Sequence, residues 1–364
     1  IDPGKHPETN LQFQFFLAAV LAAVDNNAEL LRLSASSAGN DHRLGANEAP
    51  PAIISAFLGE QLESIVKQII EKGEATESPK GKTYVSGAST LPTFTMDATD
   101  RNRTSPFAFT GNRFEFRMLG SAVNIACPNI MINTIMAEEL NQFCDEIEKA
   151  DNKDKAIKEL IKKTFTDHQR IIFNGDGYSD EWPVEAEKRG LPNYRSLPEA
   201  LAHFDDQKNI DLFVKNNVHD EVEIKARKVI TLEEYAKTIN IEALTMLEMA
   251  KQDILPAVSS YVKELTDTAL AKKALSDAIP TSVEEDLVTT LSNDLVSFVE
   301  KIDTLSEDVV KGNDIEDAQE KANYYHDVVF AAMNELRAVS DEMETITSSD
   351  YWPYPTYDEL LFGV

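Results

Sequence analysis

The sequence predicts an α+β fold, with strands early in the chain and a long helical region after them. Three observations lead there. The stretch Asn112-Arg-Phe-Glu-Phe-Arg117 alternates charged and aromatic residues, the two-residue period of a half-buried strand. Around it, helical spacings are interrupted by loops rich in Gly, Ser, Thr and Pro. Beyond about Asn152, apolar residues recur at intervals of three and four.

The elements follow in order. Leu11 to Leu33, Ala-rich and free of Gly and Pro, reads as one mostly buried helix. Ser34 to Pro51 has loop composition. Ile53 to Lys72 returns to helical spacing, and Gly73 to Pro92 reads as an exposed loop. The strand at Asn112–Arg117 places Arg113, Glu115 and Arg117 on one face, with Phe114, Phe116 and Met118 on the other. A helix is expected over Asn129–Lys149, just after Cys127-Pro128. The segment Ile171–Ala200 breaks the later helical pattern, and its Phe173-Asn-Gly-Asp-Gly-Tyr178 reads as a tight turn. It lacks the Lys-Ser/Thr of a phosphate loop and the spaced acids of a calcium loop. Thr231 to Glu234 matches a capping box, which predicts a helix opening there and running towards Leu255-Pro256. Leu287, Leu291, Leu295, Phe298, Ile302 and Leu305 form one apolar seam, and Ile315 to Met333 carries another. Gly312-Asn313 separates them, as in an antiparallel helical hairpin. Trp352-Pro-Tyr-Pro355 is an aromatic, Pro-locked tail suited to anchoring on a core or on another subunit.

Composition narrows the function. The chain has 364 residues, enough for two or three domains, and 42% of them are hydrophobic. A formal charge of −28 opposes binding to nucleic acid. The two cysteines, Cys127 and Cys144, lack metal-type spacing and read as reduced thiols of a cytosolic protein. The most apolar run, Phe13 to Val24, is too short to cross a bilayer and lacks the basic leader of a signal peptide. The chain begins with Ile, which suits processing or a longer parent protein.

Against that acidic background, Asp97 to Arg117 holds Arg101, Arg103, Arg113 and Arg117. Such a cluster suits phosphate or carboxylate groups on small molecules. The face of Arg113, Glu115 and Arg117 is either solvated or turned into a ligand cleft, where a carboxylate can hold a hard divalent cation and a guanidinium can grip an oxyanion. The loop Asn40-Asp-His-Arg-Leu-Gly-Ala-Asn-Glu-Ala-Pro50 offers a second candidate. Arg43 with Glu48 is either a surface ion pair or part of a mobile loop that closes over a site.

Several blocks, in order, resemble glutamine synthetase of the long, type III class. They are Asn40–Pro51, Arg101-Asn-Arg-Thr-Ser-Pro-Phe107, Asn112–Ser121, Phe173–Tyr178 and Trp352–Phe362. The resemblance implies that residues 1–150 are the end of a curved-sheet (half-barrel) catalytic domain, with a flap loop at about 39–51. Residues 151–364 would be the helical C-terminal region typical of the class. It implies ATP-dependent ligation of ammonia to the γ-carboxylate of glutamate through γ-glutamyl phosphate, with Mg²⁺ or Mn²⁺. Arg43 would bind substrate carboxylate, and Glu48, on the flap, would help take a proton from ammonium. Arg103 would face the transferring phosphoryl group and Arg113 the nucleotide. Glu115 would be a metal ligand, and Arg117 would hold glutamate. A homo-oligomer of two stacked hexameric rings, a dodecamer, is implied as well.

The sequence also departs from the family pattern. Ala108 stands where a second nucleotide arginine usually sits, so that contact is absent or supplied elsewhere, with Arg101 the nearest candidate. The family's earlier half, with most acidic metal ligands, is missing, so this chain alone is expected to be inactive. Two other readings stay open: a non-catalytic helical assembly or regulatory homologue, and a γ-glutamyl ligase that uses an amine.

Overall fold

A computed structural model describes residues 1–46, 49–78, 83–84, 94–95 and 104–363, with only the backbone of 83–84 and 94–95 and without the side chain of Tyr357. The chain forms two compact units, Ile1–Lys228 and Val229–Val364. The residues are mostly helical, with two small sheets.

The first unit opens with α1 (Leu11–Asn26), whose Asn10 side chain caps the first turn by accepting from the Phe13 amide. Leu17, Leu21, Ala18 and Ala22 are all fully buried, as expected of a helix that is apolar all round. The single helix predicted to Leu33 is broken at Asn27, where the Nδ2 donates to the Ala23 carbonyl at 3.0 Å and the backbone leaves helical angles. A separate helix, α2 (Ala28–Ser34), follows. Then come α3 (Ala38–Asp41), β1 (Ala56–Phe57) and α4 (Gly59–Lys72). Leu62, Ile65, Val66 and Ile69 of α4 are buried at helical spacing, and Gly73 ends the helix in a left-handed conformation.

The strands β2 (Thr83–Tyr84) and β3 (Phe94–Thr95) pair antiparallel. The strands β4 (Phe107–Phe109) and β5 (Phe114–Phe116) complete a three-stranded sheet of order β1-β4-β5. Here β1 runs parallel to β4, and β4 antiparallel to β5 with Ala108 opposite Glu115. The predicted alternation holds. Phe114 stacks on Phe107 at 4.9 Å, while Glu115 joins Arg113 and Arg117 on the other face.

Next come α5 (Ala126–Glu148), which begins before the expected Asn129, and α6 (Lys153–Asp167). Pro128 lies in the first turn of α5, where its missing N–H costs no helical bond. Both helices pack on α1. Phe109 and Phe143 meet Phe13 and Phe15 edge-on and bind sheet and α5 to the same core. The short helices α7 (Glu181–Lys188), α8 (Leu197–Leu201) and α9 (Gln207–Lys215) follow the Phe173–Tyr178 turn.

The helix α10 runs from Glu221 to Met249, so Thr231 is mid-helix and does not cap an N-terminus. Asp220 caps it instead, its Oδ1 accepting from the Glu223 amide at 2.7 Å. A π turn at Ala250–Ile254 leads directly into α11 (Leu255–Leu275). Pro256 therefore does not stop the helix. It follows the π turn at the start of α11, and the wider turn accommodates its ring and missing amide donor.

The hairpin consists of α12 (Ser282–Asn313) against α13 (Ala318–Tyr324), a second π turn at Tyr325–Val329, and α14 (Phe330–Ile346). Leu291, Phe298, Ile302 and Leu305 bury against a seam that includes Tyr325, Val329 and Leu336. The tail ends in α15 (Tyr357–Phe362), opened by a Thr356/Glu359 capping box. Tyr354 donates to Asp253 at 2.9 Å and Tyr351 donates to Glu264, so the tail is tied within its own unit. Both cysteines are free. Among the described residues, no helix is long and apolar enough to cross a membrane.

Candidate functional site

The site is assembled at the ends of α3 and β5. Ser37 caps α3 by accepting from the Asn40 amide at 3.2 Å. Asn40, 2% exposed, turns its Nδ2 to two carbonyls, Ala35 at 2.5 Å and Met118 at 3.0 Å. Arg43, three residues on, donates from Nη1 to the Leu119 carbonyl at 3.3 Å. The segment after α3 is thus bonded to the segment after β5.

Past Arg43 the loop narrows to a neck. Leu44 bridges Ala49, and the Gly45 amide faces the carbonyls of Ala49 and Pro50 at 3.0 and 3.1 Å. Gly45 has φ +71°, which a side chain would strain. The loop tip, including Glu48, lies outside the described residues, and so do Arg101 and Arg103.

On β5, Arg117 donates to Glu115 Oε2 from Nε at 3.2 Å and from Nη2 at 2.9 Å. Glu115 Oε1 accepts from Thr110 at 3.1 Å and from two nitrogens of Arg113 at 3.3 Å. The hydrogen bond from Arg117, then those from Thr110 and Arg113, hold the Glu115 carboxyl below the usual carboxylate range. Arg117 is 23% exposed at its side chain and Arg113 is 71% exposed.

Arg43 and Arg117 line one small cavity of about 80 Å³, walled also by Pro50, Thr104, Met118 and Tyr178. A cavity of this kind holds a water for every 10–15 Å³ or so, which leaves room for roughly several waters or a small oxyanion. Glu115 adjoins this cavity through Arg117, and Arg113 lies beyond Glu115. Sequence spacing had paired Arg113, Glu115 and Arg117. The approach of Arg43, and the presence of Asn40, Thr104 and Tyr178, carry no periodic signal. The repeated glycines of the Phe173–Tyr178 turn were the one cue that a close backbone approach occurs there.

The fit to a divalent cation is incomplete. Both Glu115 oxygens are taken by cationic or hydroxyl donors. Among the described residues, no three His, Cys, Asp or Glu side chains gather into a metal-binding group. One carboxylate supplies a small part of the six-oxygen octahedral shell of Mg²⁺.

The second unit holds a larger, apolar groove of about 540 Å³, bordered by Met246, Phe298, Leu336 and Trp352. Its arginine, Arg337, is already paired with Asp341 at 3.3 Å, so the groove lacks the free convergent cations of an oxyanion site.

Comparison with known proteins places the chain as a whole. Residues 156–273 match the family model described as the glutamine synthetase C-terminal domain. Over 100% of its length the chain is 42% identical to a glutamine synthetase of Butyrivibrio fibrisolvens, of which it covers 52%. It is 38% identical to the type-3 glutamine synthetase of Dictyostelium discoideum, matching 100% of this chain and 50% of that one. It is also 38% identical to a glutamine synthetase of Bacteroides fragilis strain YCH46, at 99% and 51%. The chain spans about half the length of these curated relatives. With that domain within it and such relatives along its whole length, one of them type 3, the chain belongs to the glutamine synthetase family and aligns with its type III class.

Proposed function

We propose that the chain supplies part of the active site of a glutamate–ammonia ligase that consumes ATP. One observation carries the reading: Arg43 and Arg117, from separated segments, line the same small cavity. Residues 1–150 would contribute the end of the curved-sheet catalytic domain and residues 151–364 the helical region. The names of the relatives support the substrates glutamate, ammonia and ATP. The family resemblance supports a cytoplasmic homo-oligomer of two hexameric rings.

In this reading the γ-carboxylate of glutamate attacks the γ-phosphorus of ATP, ADP leaves, and a γ-glutamyl phosphate forms. Ammonia then attacks the acyl carbon and phosphate leaves, giving glutamine. Arg117 and Arg43 hold substrate carboxylate, each charge-assisted contact contributing about 1.5–3 kcal/mol. Arg103 stabilises the charge developing on the transferred phosphoryl group, and Arg113 contacts the nucleotide. Glu48 takes a proton from ammonium, and the loop that bears it shields the acyl phosphate from water. Glu115 would supply one ligand to Mg²⁺ or Mn²⁺, which when bound neutralises phosphate charge. Water, phosphate oxygens of the nucleotide and other carboxylates would complete its shell.

The test is product analysis of the full-length protein with glutamate, ATP and either ammonia or a primary amine. Glutamine with release of ADP and phosphate is expected. No γ-glutamyl product from either nucleophile would refute the reading, and product from the amine alone would reassign it.

A further inference from the structure

We propose that the Phe173–Tyr178 turn is a positioning and selectivity element of the Arg43/Arg117 cavity, with Tyr178 the residue that limits which dicarboxylic amino acid enters. The inference rests on the ligase reading above and deepens it.

The turn is held firmly at its start. The Phe173 amide donates to the Ala56 carbonyl at 3.0 Å, extending the edge of β1. Asn174 Oδ1 accepts from the amides of Leu58 and Gly59 at 2.9 and 3.0 Å, satisfying donors at the start of α4. Its Nδ2 donates to Glu63 at 2.6 Å. The Phe173 ring stacks on Trp182 at 3.6 Å, and the Arg189 guanidinium lies 5.8 and 5.7 Å from the two ring centres.

At its far end the turn meets the cavity. The Gly177 amide donates to Thr104 Oγ1 at 3.0 Å. A Cβ on Gly177 would lie 2.9 Å from the Thr104 carbonyl oxygen and 3.3 Å from Pro50, so only glycine permits this approach. Pro50 and Thr104 themselves line the cavity. The next residue, Tyr178, also lines it, and at 56% exposure it stands at the mouth. Its amide donates to Asp176 Oδ1 at 2.9 Å, which holds the backbone of the turn at this residue. A rigid aromatic side chain at the mouth of so small a cavity restricts the length of chain that can follow a carboxylate inward.

The experiment compares kcat/KM for glutamate and for the dicarboxylic amino acid one methylene longer, in the full-length protein. Tyr178→Ala is expected to raise the longer-to-shorter ratio at least fivefold. Thr104→Val, which removes the hydroxyl acceptor at constant shape, should raise the glutamate KM several-fold with kcat little changed, and Thr104→Ser should restore it. An unchanged substrate ratio in Tyr178→Ala, or a Thr104→Val that loses thermal stability without moving KM, would overturn the inference and leave the ligase reading intact. Arg117→Ala is the control: an unchanged glutamate KM in that variant removes both.

Discussion

Asn40 donates from Nδ2 to the Met118 carbonyl at 3.0 Å, and this buried bond sets the distance between the segments that carry Arg43 and Arg117. Asn40→Asp keeps the shape but replaces the donor with a carboxylate facing the carbonyls of Ala35 and Met118. An acceptor facing two acceptors in a buried site should cost about 2–3 kcal/mol. The unfolding midpoint in denaturant, followed by fluorescence of the buried Trp182 in the same unit, reads this loss directly.

Arg117 and Arg113 share Glu115 but differ in setting, one facing the cavity and the other largely in solvent. Arg117→Ala should raise the glutamate KM of the full-length protein by about 10- to 100-fold, the equivalent of one charge-assisted contact. Arg113→Ala should leave that constant nearly unmoved and weaken nucleotide binding instead. Paired steady-state titrations of glutamate and ATP separate the two.

What the sequence revealed of this site and what it hid have different physical origins. The strand face of Glu115 and the seam of Leu291, Phe298 and Ile302 follow from local periodicity, and both are present. The break at Asn27 depends on one side-chain bond to Ala23, which no hydrophobic pattern encodes. The apparent capping box at Thr231 failed because the helix was already nucleated by Asp220 further upstream. Pro256 looked like a stop, yet a π turn lets it enter as the start of a helix. At the site, Arg43 meets Arg117 only through contacts between residues distant in the chain, such as Asn40 with Met118. The family blocks pointed to these arginines, and spacing could not.

The Glu115 carboxyl offers a pH readout. Its folded-state pKa is depressed, chiefly by the Arg117 hydrogen bond. A depressed acid stabilises the fold above its unfolded pKa and loses that contribution as pH falls through the lowered value. Carboxyl-carbon NMR of the chain should therefore show Glu115 titrating below its ordinary range, with the Arg113–Glu115–Arg117 face intact at pH values where exposed glutamates are already protonated. In Arg117→Ala the titration should move back up towards the ordinary value.

Arg32 ties the root of the Arg43 loop to the core. Its side chain is 1% exposed, and that of Asp41, 3.8 Å away, is 4% exposed. Arg32 also donates to the Tyr194 carbonyl and to Ser36 Oγ, each at 2.8 Å, but its Nη2 has no hydrogen-bond partner. Burial lowers the pKa of the guanidinium, and the Asp41 charge works against that shift. Both Asp41 oxygens accept from the Leu197 amide at 3.1 and 2.9 Å, which joins this point to α8. Asp41→Asn retains an acceptor for Leu197 but leaves the buried Arg32 charge with only the weaker influence of Glu199, so a loss of about 3 kcal/mol is expected. Arg32→Met removes the charge and keeps much of the volume, at the expense of two hydrogen bonds. If the Coulombic coupling is what matters, the double variant should be at least about 1 kcal/mol more stable than the sum of the single losses predicts. Strict additivity in that cycle, measured by denaturant unfolding, would show that Asp41 acts through contacts other than the Arg32 charge.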